Sequence, residues 1–228
     1  MYNLLVTKHH ILKKHLFELF LLLLICLYAV LALFAKKFPY FPLDLFITRN
    51  IQDITIPGFA NVMYVLTFLG NPIPGILSVF TIVIFFIFTR QISTAFFLLI
   101  SVGGNYIISV FFKSLISRPR PSSELIQQLS PHPLLDSFPS GHVLFFIGFY
   151  GFLLFLSLRE IKNRTIKFVT VTIFAIMIGF IGVSRIYVGA HWFSDTIGAY
   201  LIGTVWLLIM VHFYKKQKKK IEILNKMQ

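Results

Sequence analysis

The chain has 228 residues, of which 57% are apolar, 17% aromatic and only 13% charged, with a mean hydropathy of +0.83. That is more apolar surface than a soluble domain of this length can bury, so a soluble globular protein is excluded and an integral membrane protein is expected. The formal charge of +13 would suit nucleic acid, but Lys and Arg abut the ends of apolar runs, as in cytoplasmic membrane loops, and no nucleic-acid partner is expected.

In chain order, residues 16–35 form the first apolar run. It follows Lys13 and Lys14 as a signal peptide would, but it exceeds the roughly 7–15 residues of a signal core and no small-x-small cleavage site follows. It is therefore expected to be retained as a span. Cys26, the one cysteine, lies inside it, so no intrachain disulfide can form. Residues 54–70 are apolar but contain Pro57, Gly58, Asn61 and Thr67, which predicts a short helix at the interface or partly buried. Residues 72–88, 94–112, 143–158, 168–183 and 196–214 each approach the roughly 20 residues that cross a bilayer as helix. A loop over 118–139 with prolines at 119, 121, 131, 133 and 139 is expected to be extended.

The expectation is an all-α, six-span bundle with a short extra helix, forming one membrane-embedded domain over 1–228. Segments 8–14, 90, 159–167 and 215–226 hold two thirds of the 21 basic residues, which places them and both termini in the cytoplasm. The basic tail, 215–228, reads as a stop anchor that favours anionic lipid headgroups. The acceptor triplet Asn163-Arg164-Thr165 falls on the cytoplasmic side, so it is not expected to carry a glycan.

Parity then brings three polar blocks to one membrane face. Ser140 and Gly141 head an apolar run, where free backbone N–H groups suit an anion, and His142 stands just inside with a side chain that titrates near neutral pH. Lys113 and Arg120 close the third span, and by themselves they read equally as a basic collar. Ser184 and Arg185 precede His191 and Asp195, which lie four apart. If the chain is helical from Ala190 the two share a face, so the carboxylate orients the ring or simply glues two helices.

Lys113 with Arg120-Pro121, Pro139-Ser140-Gly141-His142, and Ser184-Arg185 with His191 and Asp195 match, in order and spacing, the three-part signature of the type-2 phosphatidic acid phosphatase superfamily. The chain resembles its membrane-integral lipid phosphatases over residues 113–195. Arg118-Pro119 is a second Arg-Pro, but the spacing selects Arg120. The resemblance implies that Lys113, Arg120 and Arg185 clamp a phosphate, with Ser140 and the Gly141 N–H completing the cradle. It implies that His191 attacks phosphorus, Asp195 orients His191, and His142 serves as general acid and base.

The eight acidic residues are scattered and only Asp195 joins a block, whereas two-metal phosphatases cluster carboxylates around ions about 3.5–4 Å apart. No metal and no cofactor are expected. His9, His10 and His15 read as a solvated terminal segment, and His132 and His212 as structural. The implied substrate is a lipid phosphate or diphosphate at the outer face of a bacterial inner membrane, such as phosphatidic acid, phosphatidylglycerol phosphate or undecaprenyl pyrophosphate. A phosphotransferase using the same histidine is the alternative within enzymes, and a transporter with a polar rim the alternative outside them. The related vanadium haloperoxidases share the cradle but not the lipid setting.

Overall fold

The structure, a computed structural model, describes residues 2–130 and 136–227, with side chains from His15 onward except those of Asn225 and Met227. Pro131, His132 and Pro133 lie outside the described residues, as do the side chains of His9 and His10. Among the described residues there are helices and no strands: α1 (Tyr2–Lys37), α2 (Pro42–Gln52), α3 (Phe59–Leu69), α4 (Pro72–Phe88), α5 (Ile92–Ile116), α6 (Gly141–Phe146), α7 (Phe152–Glu160), α8 (Arg164–Tyr187) and α9 (Phe193–Met227). A π turn over Ile147–Gly151 joins α6 to α7.

Five stretches are long and apolar enough to cross a membrane: His15–Lys37, Ile92–Ile116, Gly141–Glu160, Arg164–Tyr187 and Phe193–Leu224. A bent pair, α3 with α4, passes the same test of length and hydropathy only when taken together, with a break of 66° between its arms. The break falls at Gly70 and Asn71, where α3 ends and Pro72 opens α4 in a first-turn position that needs no N–H. Alone, the 17 residues of α4 reach about 25 Å, short of the roughly 30 Å apolar core of a bilayer. The segment expected as a short helix is α3, which meets α4 at this bend.

Most helices run several residues past the apolar stretches because their polar and basic ends continue the same backbone. Asn163 caps α8, its side chain accepting from the N–H groups of Thr165 (3.0 Å) and Ile166 (3.1 Å). Ser117 ends α5 in a left-handed conformation (φ 50°).

The core runs between α3, α5, α6, α7, α8 and α9, with Leu98, Phe146, Phe149, Phe152, Ile181 and Tyr214 buried in it. α1 lies along α9 and leaves Leu19, Leu23, Val30 and Leu33 exposed, an apolar face suited to lipid. Beside the π turn, α5 approaches closely: Asn105 Nδ2 donates to Leu144 O (3.0 Å) and Ser101 Oγ to Gly148 O (2.8 Å). Side chains that bond a helix's carbonyl ladder are a recognised cause of such local widening. Between those two residues of α5, Gly104 faces Trp206 of α9 so tightly that an added Cβ would lie 2.2 Å from the indole. The indole Nε1–H donates to Ser101 O (3.1 Å).

Candidate active site

α8 ends at Tyr187, and Gly189, at φ +72°, turns the chain out of the helix. The N–H groups of Ala190 (3.1 Å) and His191 (3.3 Å) then return to Arg185 O, which holds His191 in a tight loop. α9 begins only at Phe193, so the condition that the chain is helical from Ala190 is not met: the N–H groups after Gly189 are still turned back onto the end of α8. Asp195 sits in the first turn of α9, where its Oδ2 accepts from the Trp192 N–H at 2.8 Å, the reach-back half of a capping box.

His191 Nδ1 lies 3.6 Å from Asp195 Oδ2, just beyond hydrogen-bond range. The Ser137 hydroxyl links the two, donating to Asp195 Oδ2 and standing 3.4 Å from His191 Nδ1. On the other edge of the ring, Arg120 Nη1 is 3.4 Å from Nε2 and donates to Ala190 O at 2.7 Å. A guanidinium only donates, so it favours the tautomer with its proton on Nδ1 and a lone pair on Nε2. Burial first, then the charges of Arg120, Lys113 and Arg185, push the His191 pKa well below 6.5, against a backbone hydrogen bond to Ser137. The ring is therefore neutral. Burial likewise lowers the Arg120 pKa, while Asp195 and Asp136 oppose that shift.

The other blocks arrive at the same place. Lys113, near the end of α5, donates to Asp136 O, with Ser137 O at 3.5 Å. Arg185 Nη1 donates to Thr67 Oγ1 at 3.1 Å. Ser140 N–H donates to Asp195 O at 3.2 Å, joining the start of α6 to the start of α9. His142 Nε2 lies 3.2 Å from Asn71 Oδ1 in the α3–α4 break, and its ring packs on Gly70, where an added Cβ would come within 2.5 Å of Cδ2. Two buried polar atoms here, Ser140 Oγ and Arg185 Nε, have no hydrogen-bond partner. A hydroxyl and a guanidinium N–H left unspent beside other cations have the chemistry to bind an oxyanion.

Several residues in this cluster carry no signal in the motif spacing. Arg118, which the spacing passes over, has a fully buried side chain bonded to Asp44 (2.9 Å) and Asp195 (2.5 Å). Asp44 thus joins the site from 74 residues before Arg118, correcting the expectation that Asp195 is the one carboxylate there. Ser137, Asn71 and Thr67 were equally silent, because each is placed by the fold rather than by a local pattern. Among the described residues, no group of three or more His, Cys, Asp or Glu is arranged to hold a metal ion.

A family profile described as the PAP2 superfamily matches residues 94–219, more than half of the chain. Phosphatidylglycerophosphatase B of Bacillus subtilis is 23% identical over 137 residues, 58% of this chain and 64% of the relative, less than two thirds of that protein's length. The crystal structure described as the first transmembrane PAP2 type phosphatidylglycerolphosphate phosphatase, also from Bacillus subtilis, superposes with a TM-score of 0.73 at 22% identity, covering 86% of this chain and 96% of that one. LpxE of Aquifex aeolicus superposes with a TM-score of 0.58 at 23% identity, covering 75% and 96%. These two likenesses carry the fold, and the profile match carries the kinship: this chain belongs to the PAP2 superfamily.

Proposed function

We propose that the protein hydrolyses a lipid phosphate or diphosphate monoester without a metal, through a phosphohistidine on His191, and releases inorganic phosphate. The observation that carries this reading is the seating of His191, with Asp195 and Ser137 beside Nδ1 and Arg120 beside Nε2. That arrangement leaves a neutral nitrogen lone pair facing a cationic cradle.

In this reading Lys113, Arg120 and Arg185 neutralise the phosphate oxygens, and Ser140 Oγ and the Gly141 N–H add donors. His191 Nε2 attacks phosphorus as the P–O bond to the lipid breaks. His142 gives its proton to the departing oxygen, then takes one from the water that cleaves the P–N bond. Asp195 steadies the positive charge that develops on the His191 ring. Stepwise transfer replaces one hard displacement with two easier ones.

The substrate class follows from the setting, since spans beneath a phosphate cradle suit a headgroup whose tails stay in the bilayer. Phosphatidylglycerol phosphate, the substrate named for the Bacillus relative, phosphatidic acid and undecaprenyl pyrophosphate all fit that chemistry. The basic loops favour cytoplasmic termini and a site on the outer face of a bacterial inner membrane.

Purified protein assayed for phosphate release against these three lipids tests the reading. One lipid is expected to be turned over by the wild type and not by His191→Ala. Phosphate release that persists in His191→Ala would overturn the nucleophile, and no release from any of the three would overturn the hydrolase.

A further inference from the structure

We infer that Arg118, held in place by Asp44, is a positioning residue that fixes the Asp195 carboxylate so that one of its oxygens faces His191. This deepens the hydrolase reading above and rests on it.

The two carboxylates occupy equivalent places. Asp44 is the third residue of α2 and Asp195 the third of α9, and each accepts from the backbone N–H just before its helix, Phe41 at 2.9 Å and Trp192 at 2.8 Å. Helix N-termini favour such carboxylates electrostatically. Arg118 lies between them, Nη2 donating to Asp44 Oδ2 (2.9 Å), Nη1 to Asp195 Oδ1 (2.5 Å) and to Ser194 Oγ (2.7 Å), and Nε to Phe38 O (3.3 Å). Asp44 also takes the Ser194 N–H and hydroxyl, each at 2.8 Å. Four of the five guanidinium donors are therefore spent on protein. That separates Arg118 from Arg120, which stands against the His191 ring.

The oxygens of Asp195 thereby take different tasks. Oδ1 belongs to Arg118, while Oδ2 faces Trp192 N, Ser137 Oγ and His191 Nδ1. Take the guanidinium away and the two buried carboxylates lose the donor that joins them. Asp195 Oδ1 then has lost its donor, and the carboxylate is free to turn about its own axis. A rotated Asp195 no longer steadies charge on His191. A plain staple between α2 and α9 would explain the burial, but this one ends on the carboxylate that faces the nucleophile.

The experiment uses the full chain in detergent with dioctanoyl phosphatidic acid, measuring kcat, KM and thermal unfolding for the wild type, His191→Ala, Arg118→Gln, Arg118→Lys and the double variant Asp44→Asn/Arg118→Gln. Arg118→Gln is expected to lose thermal stability and about 10²-fold in kcat, the scale of a misplaced catalytic group. The double variant strands no buried charge on Asp44. It is expected to regain stability while kcat stays low and KM stays near the wild-type value. Recovery of kcat together with stability would show a merely structural staple and overturn the inference, as would a loss confined to KM. Arg118→Lys keeps the charge without the fork and covers the case in which the Gln variants do not fold. A tenfold or greater fall in kcat supports the inference and an unchanged kcat overturns it. A wild type that releases no phosphate from this lipid, nor from phosphatidylglycerol phosphate or undecaprenyl pyrophosphate put in its place, or a fully active His191→Ala, fails the hydrolase reading itself and is seen in those two proteins independently of the Arg118 variants; where the wild type turns over one of the other two, that lipid replaces phosphatidic acid throughout.

Discussion

The backbone N–H of Ser140 bonds the main-chain carbonyl of Asp195 over 3.2 Å. The start of α6 and the first turn of α9 are therefore tied by peptide groups, whichever side chains they carry. Side chains at either position can be changed with the frame left standing, which makes their chemical roles separable from their structural ones.

Ser140 itself gives the sharpest case. Its hydroxyl is buried and has no partner in the protein, so Ser140→Ala removes a polar group that contributes nothing to the fold. Stability is expected to stay within about 0.5 kcal/mol of wild type or to rise, while kcat/KM falls roughly tenfold, the equivalent of about 1.4 kcal/mol. Paired thermal-shift and turnover measurements check this, and a fall in both would assign the hydroxyl to the fold.

The displaced His191 pKa sets a pH dependence. Its folded value lies below the ordinary 6.5, so as pH falls below about 6.5 the unfolded chain takes up a proton before the folded one does. Stability owes nothing to this group above that pH and declines beneath it. Unfolding temperatures over about pH 5 to 8 should slope for the wild type and flatten for His191→Gln. The acid limb of kcat/KM that this ring contributes should likewise lie below pH 6.5.

Asn71 should matter through His142. With its Oδ1 3.2 Å from His142 Nε2, Asn71→Leu is expected to loosen the general acid. Lipid phosphates with alkoxide leaving groups should slow at least tenfold, while p-nitrophenyl phosphate, whose leaving group needs no proton, should react at nearly the wild-type rate. His142→Ala should show the same split more strongly, within the roughly 10²–10⁴-fold range of acid–base catalysis. Equal losses on both substrates would remove the acid role.

Gly189 is constrained twice. Its φ is +72° and an added Cβ would meet Gln127 O at 2.2 Å. Gly189→Ala should destabilise by about 2 kcal/mol or more and displace His191, two residues on. Asn tolerates the left-handed conformation but not the collision, so Gly189→Asn should fail as well, and full rescue by Asn would show that conformation alone is at stake.

In the proposed hydrolysis side-chain cations take the place of a metal. Turnover is expected to be unchanged by EDTA, and vanadate is expected to inhibit by occupying the phosphate position. Loss of activity on chelation with recovery in magnesium would contradict the metal-free chemistry, and indifference to vanadate would contradict the clamp.

The spans were legible because burial in a bilayer forces long apolar runs, and parity alone put His142 and His191 at one end. Their ends were less so: 94–112 became Ile92–Ile116 and 196–214 became Phe193–Met227, since a helix does not stop where hydropathy does. The His191–Asp195 pair was visible as a spacing of four, yet its geometry comes from a glycine-broken loop and a helix cap rather than a shared helical face. Arg118 stood in plain view beside Arg120. What distinguishes them is Asp44, and a contact across 74 residues leaves no trace in local periodicity.

The abutment of Gly104 on Trp206 lies nine residues below Lys113 on one helix and eleven below Asp195 on the other, some 14 and 17 Å at 1.5 Å per residue. It acts as a fulcrum: the gap between those two rods at depth governs where their upper ends point. A single methyl there would tip both ends, so catalytic failure could originate at a position that no substrate ever approaches.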